Sequence, residues 1–329
     1  MERLFFFAVV CYNNTVMKKI FISVFLTVVF MVCLFLAVAG FAIGNYCVEF
    51  GLLRDGINPP KALSLVMPPN TWEFNKPDAD SEVWQIRSFD GLNLVATHFL
   101  PKRGKNADKW AVIIHGYGCN QKNSWYIAEE YLKNGYNVLT PDLRASGLSE
   151  GSYITLGVKE SRDVVDWARE IAKRDEKAKI VLHGVSMGAA TAMIAAASQD
   201  LPNNVCAVVE ESGFSSAYDL LSVKLEESFN IPAYPVMPVV DYRCAKLAGF
   251  SLREASPKEA LKYVYVPTLF IHGDSDALVP PYMSDILYSA LKSERKELYI
   301  AKDALHGIAS QSNHDEYYRR VFEFLRRYT

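Results

Sequence analysis

Two kinds of hydrophobic pattern divide the chain. "EVWQIRS" and "LNLVATHFL" interleave apolar and polar residues on either side of Asp90-Gly91, which predicts an antiparallel hairpin. From Trp110 onward the strand-like runs are short and almost wholly apolar: "WAVIIHG", "YNVLTPD", "AKIVLHG", "VCAVVEES", "PTLFIHGD" and "KELYIA". Helical periods fall between them, near 124–134 and 158–173, after Ser186, from about 281 and from about 314. Strands apolar on both faces and separated by helices predict a mainly parallel sheet covered on both sides. The fold class is therefore α/β, doubly wound, with an antiparallel N-terminal edge.

Two segments break this alternation. Ser215 to Tyr263 carries helical pieces interrupted by prolines and no strand, and it is too short for a domain of its own. It reads as a lid, residues 215–263, above the carboxyl ends of the strands where open α/β sheets bind ligands. The other segment is Ile20 to Ile43, twenty-four residues without a charge, preceded by Lys18-Lys19. Such a run can cross a hydrocarbon core of about 30 Å, and the flanking lysines keep its start in the cytoplasm. It predicts a membrane-anchored protein with the domain after Gly44 extracytoplasmic. Ala37-Val38-Ala39 leaves a cleaved secretory signal, and so a secreted protein, as the alternative. The first sixteen residues fit neither role, and Met17-Lys18-Lys19 resembles a start. The organisation is then 1–44 leader and signal-anchor, 45–80 linker with five prolines between Ile57 and Ser81, and 81–329 folded domain.

Composition narrows the function. Half the residues are apolar and 22% are charged, enough to bury a core and too apolar for disorder. The 35 basic and 37 acidic residues are mixed along the chain, so no basic face suits a nucleic acid. Cys11 and Cys33 belong to the leader. Cys47, Cys119, Cys206 and Cys244 show no C-x-x-C spacing, their pairing is open, and Cys206 is expected as a small buried hydrophobe.

The chemistry concentrates at Gly184-Val185-Ser186-Met187-Gly188. This G-x-S-x-G follows a strand and precedes the small-residue helix "AATAMIAAAS", the strand-turn-helix setting of a nucleophile elbow. A helix start beside Ser186 offers free N–H groups and a positive dipole end to an oxyanion. With an elbow the partners follow in the order serine, acid, histidine. "FIHGDSDALVP" supplies Asp276 as the acid, and "KDALHG" supplies His306 as the base. Asp274 competes with Asp276 but reads as a turn former. His314 competes with His306 but falls at the start of the last helix, and Glu210 or Glu211 would serve in a variant layout. The loop "HGYGCN" supplies the second oxyanion donor, the N–H of Tyr117, beside that of Met187. His115, His183 and His272 each sit at a strand end next to glycine and read as turn residues, with no ligand spacing for a metal.

The pieces "HGYGCN", "DLRASGLSEG", "GVSMGAAT", "VPTLFIHGDSDALVP" and "ALHG", in that order over residues 81–329, resemble the α/β-hydrolase superfamily. More closely they resemble the bacterial membrane-anchored serine aminopeptidase, prolyl-oligopeptidase-like and Bem46-like hydrolases. That resemblance implies a cofactor-free Ser186-His306-Asp276 triad acting through an acyl-enzyme, with Asp142 and Arg144 bracing loops near the site. The substrate it implies is a small-molecule ester or, as the alternative, a short peptide. A membrane-tethered fold that binds a ligand without turning it over is the reading from another class.

Overall fold

Residues 74–102 and 108–329, with scattered residues between 19 and 53, are described by a computed structural model. Eight strands form one sheet: β1 Ser81–Arg87, β2 Asn93–Phe99, β3 Lys109–Ile114, β4 Asn137–Pro141, β5 Lys179–Val185, β6 Val205–Glu211, β7 Thr268–Gly273 and β8 Lys296–Ala301. Their order is β1-β2-β4-β3-β5-β6-β7-β8. β2 runs antiparallel to β1 and β4, and every pairing from β4 through β8 is parallel. This is the α/β-hydrolase fold, with its antiparallel edge made by the hairpin expected at Asp90-Gly91.

The alternation along each strand sends one set of side chains to each face. Trp110, Val112 and Ile114 join Ile180, Leu182, Val208 and Phe270 on one side. They are covered there by Trp167 and Ile171 of α2 (Val158–Arg174), Ala189 and Met193 of α3 (Met187–Ala196), and Leu287 of α7 (Tyr282–Ala290). Ala111, Ile113, Val181, Val209 and Ile271 face the other side. Ile127 and Tyr131 of α1 (Trp125–Lys133) cover them with Tyr317, Val321 and Phe324 of α9 (His314–Leu325). Fully burying a large side chain contributes about 1.5–3 kcal/mol, so these two layers hold the sheet rigid beneath its loops.

Arg144 ties the hairpin to the sheet's helices. Its guanidinium donates to both Asp90 oxygens at 2.8 and 3.1 Å and to both Asp163 oxygens at 2.7 Å. Asp142, two residues earlier, accepts the backbone N–H groups of Gln121 and Leu148 at 2.8 and 2.9 Å. The stretch "DLRASGLSEG" thus joins the hairpin turn at Asp90, the segment after β3 at Gln121 and the helix α2 at Asp163.

Between β6 and β7 lie α4 (Ala217–Phe229), α5 (Ala233–Leu247) and the short α6 (Pro257–Ala260), in the segment expected as a lid. Pro238 lies inside α5. One feature departs from the expected start of the folded unit at Ser81. Val48 and Leu52 are buried against Met237, Val240 and Cys244 of α5 and against Phe250 and Leu252. The Leu52 carbonyl accepts the Ile154 N–H at 2.8 Å, and Leu53 bridges Tyr153. Val48 and Leu52 of the expected 45–80 linker therefore pack into the folded unit, against α5 and the segment after it.

The apolar run Ile20–Ile43 falls partly outside the described residues. Among the described residues no helix is long and apolar enough to cross a membrane. Cys11, Cys33 and Cys47 are likewise outside them. Cys119 and Cys206 are free thiols, and Cys206 is half-buried, its thiol 3.5 Å from the Ile180 carbonyl.

Leu52→Ala removes side-chain volume from the lid cluster and is expected to cost roughly 2–5 kcal/mol. The loss should appear as faster limited proteolysis within 217–263 while the sheet core stays protected. Unchanged cleavage of the lid would contradict this packing.

Candidate active site

Ser186 occupies a backbone conformation that serine rarely adopts, φ 57° and ψ −119°. Such a residue costs about 1–3 kcal/mol and persists only where its surroundings hold it. They do so here by close approach. A Cβ at Gly184 would lie 2.1 Å from the Gly188 carbonyl oxygen, and one at Gly188 would lie 2.1 Å from that of Ile114. Only glycine at both positions lets β5 turn this sharply into α3 against β3. The Ser186 N–H donates to the Glu211 carbonyl at 2.8 Å, leaving the hydroxyl at the carboxyl edge of the sheet.

The other two expected members arrive on neighbouring loops. Asp276 follows β7 and is buried, and its Oδ1 accepts the N–H groups of Leu278 and Val279 at 2.9 and 2.8 Å. His306 lies on the loop after β8. That loop reaches β7 because Gly273 has no side chain, a Cβ there lying 2.1 Å from the Ala304 carbonyl oxygen. The structure brings the three residues together: His306 Nε2 is 2.8 Å from Ser186 Oγ, and His306 Nδ1 is 2.7 Å from Asp276 Oδ2. The carboxylate accepts, so Nδ1 carries the proton and Nε2 is free to accept the serine hydroxyl's.

Gly116 borders the same point, a Cβ there falling 3.4 Å from Ser186 Cβ. Tyr117 and Met187, expected as amide donors, thus lie on the two backbone segments that flank the hydroxyl. The Tyr117 phenol donates to the Gly51 carbonyl, tying this loop to the chain beneath the lid. His115 shapes the loop, with Nδ1 donating to the Gly116 carbonyl at 2.8 Å and Nε2 accepting the Leu143 N–H at 3.0 Å.

The competing candidates lie elsewhere. Asp274 accepts the Asp303 N–H at 2.7 Å, a turn contact. His314 is exposed beside Asp315 and Glu130. Glu211 points to the far face of the sheet, where Oε2 accepts the Tyr317 hydroxyl at 2.7 Å and Oε1 the Ala309 N–H at 2.8 Å. His183 belongs to that network and not to a turn. Since Tyr317 donates to Glu211, His183 Nε2 donates to the Tyr317 oxygen at 3.1 Å and Nδ1 accepts from Tyr131 at 3.0 Å. Burial lowers His183 to a pKa of about 3, so it stays neutral. His272 is the other histidine misread as a turn residue. Its Nε2 lies 2.9 Å from the Val279 carbonyl and 3.3 Å from Asp276 Oδ2. The spacing of four between His272 and Asp276, across the turn that ends β7, was the available signal.

Comparison with known proteins agrees with this frame. The protein YqkD of Bacillus subtilis (strain 168) is 30% identical over 243 residues, covering 73% of this chain and 77% of its own. The protein bem46 of Schizosaccharomyces pombe is 24% identical, covering 78% and 79%. Among solved structures, the Pyrococcus furiosus esterase Pf2001 superposes with a TM-score of 0.64 at 26% identity, covering 80% of this chain and 98% of that one. Residues 124–329, which carry the elbow and both of its partners, match the prolyl oligopeptidase family, and the chain belongs to that family.

Proposed function

We propose that the protein is a serine hydrolase that cleaves carboxylic esters. The observation that carries this reading is the unbroken hydrogen-bond line from Ser186 Oγ through His306 to Asp276, at 2.8 and 2.7 Å. His306 Nε2 takes the hydroxyl proton as Ser186 Oγ attacks the ester carbonyl. The Tyr117 and Met187 amides receive the developing oxyanion. Collapse passes the proton from His306 to the leaving alkoxide, and water repeats the sequence to release the acid and restore the hydroxyl. Asp276 holds the imidazole and balances its positive charge. An oxyanion donor of this kind contributes on the order of 10²–10³ in rate.

Similarity to an esterase supports the ester over the peptide, and family membership supports a short peptide as the second reading. The apolar run after Lys18-Lys19 supports a tethered enzyme working outside the cytoplasm.

Wild-type protein should label with a fluorophosphonate probe and hydrolyse p-nitrophenyl esters faster than aminoacyl nitroanilides. Ser186→Ala should abolish labelling and lower kcat/KM by roughly 10⁴–10⁶. Labelling that survives the substitution would remove the triad, and turnover of the anilides alone would overturn the ester.

A second expectation follows from the acid. Burial alone would raise Asp276, but the hydrogen bonds from His272 and His306 outweigh it and hold the carboxyl well below the ordinary carboxylate range. Asp276 thus stays ionised from about pH 5 to 9. The Asp276 carboxylate should stay ionised throughout that range, and its protonation above about pH 5, followed by the chemical shift of its labelled carboxyl carbon, would contradict the assignment.

A further inference from the structure

Behind Asp276 lies a second pair of ionisable groups that the reaction as written does not use. Glu210 and His272 stand on adjacent strands, with Glu210 paired to Phe270 and Glu211 to Ile271. Alternation therefore turns Glu210, Phe270 and His272 to one face of the sheet. Diagonal neighbours on a sheet face lie about 7–8 Å apart at Cα, within reach of long side chains. Both residues are fully buried. Glu210 Oε2 accepts the Gly213 N–H at 3.0 Å. Glu210 Oε1 and His272 Nδ1 are each buried without a hydrogen-bond partner among the described residues.

These two unpaired atoms are complementary. His272 Nε2 faces two acceptors, the Val279 carbonyl and Asp276 Oδ2, so it carries a proton. A second proton on Nδ1 would make His272 a cation between two buried carboxylates, and a rotation of the Glu210 side chain or one interposed water would join Nδ1 to Oε1. Without that proton, a lone pair on Nδ1 and a carboxylate oxygen both stay desolvated and unpaired. Other ionisable groups near the pair are Asp276 and His306 at the site and Glu211 across the sheet. Glu210 Oε2 and the α3 side chains Ala189 and Met193 gather around Gly213.

We propose that His272 is a positioning residue for the acid of the triad, held as an imidazolium by the buried Glu210 carboxylate so that its Nε2–H fixes the Asp276 carboxylate toward His306. Asp276 Oδ2 then faces two histidines, His306 Nδ1 at 2.7 Å and His272 Nε2 at 3.3 Å, while Oδ1 is held by two backbone N–H groups. Burial pushes the Glu210 carboxyl up to about 7. Burial alone would lower His272, but the bond to Asp276 and the charge of Glu210 raise it above the ordinary imidazole value. The two therefore overlap, as one proton held by the pair requires.

This inference rests on the serine-hydrolase reading, and its test separates the two. The full-length wild type, Ser186→Ala, His272→Ala, His272→Gln and Glu210→Gln are compared by the rate of fluorophosphonate labelling of Ser186 across pH, with p-nitrophenyl butyrate hydrolysis alongside. His272→Ala should label on the order of 10–100-fold more slowly, with kcat lowered and KM unchanged. His272→Gln, whose amide N–H can reach Asp276, should recover most of that rate. In both His272→Gln and Glu210→Gln the cation beside Asp276 is gone and His306 becomes more basic. The acid limb of the pH profile should therefore move upward by roughly half a unit or more. Wild-type labelling in His272→Ala, or an acid limb that does not rise in either glutamine variant, would overturn the proposal while leaving the triad standing. Should His272→Ala fail to fold, the two glutamine variants decide the matter by their profiles. Wild type that fails to label at all would remove the triad reading and this inference with it.

Discussion

Everything at the site depends on one backbone constraint: β5 must turn into α3 with almost no room on either side. The turn is tight because β3 and the start of α3 touch through backbone atoms at Ile114 and Gly188. That contact forces Ser186 to positive φ, and the strain is offset by the packing of two helical layers on the sheet. The same compactness brings the β3 loop, with Tyr117, against the serine. Loosening the turn would move the hydroxyl and the amides that flank it together, so local strain and site geometry are one property.

Much of this was legible from residue pattern alone. Strands buried on both faces must be apolar throughout, and "KIVLH", "VCAVV" and "TLFIH" announce themselves as parallel strands before any coordinates are considered. Ser186, Asp276 and His306 could be picked out because each ends a strand-like run and carries its turn glycine or aspartate with it. The departures have a common cause. His183 and His272 lie inside apolar strands, where periodicity shows only that a residue is buried and says nothing about which polar atoms it meets across the sheet. The partners of His183 are Tyr131 and Tyr317, 52 and 134 residues away, and no local pattern encodes such distances. Val48 and Leu52 were missed for a related reason: a short apolar pair before a proline-rich stretch looks like linker until the helix it packs against is known.

Two polar networks flank the sheet edge and do different work. On one face Glu210 and His272 stand behind Asp276; on the other, Glu211 gathers the Ala309 N–H and the Tyr317 hydroxyl. The first bears on the charge of the acid, the second on the place of the loop that carries His306. Adjacent glutamates of one strand thus reach opposite faces and serve the same imidazole by separate routes, a direct result of the two-residue period of β-structure.

The second network couples the C-terminal helix to the loop that carries His306. The His306 loop is pinned through Ala309 to Glu211, and Glu211 is satisfied by Tyr317 on the final helix. Lifting α9 from the sheet would take the Tyr317 hydroxyl from Glu211 and leave the Ala309 contact resting on that carboxylate alone. The place of His306 is thereby tied to how firmly α9 packs on the sheet, through one carboxylate and one phenol.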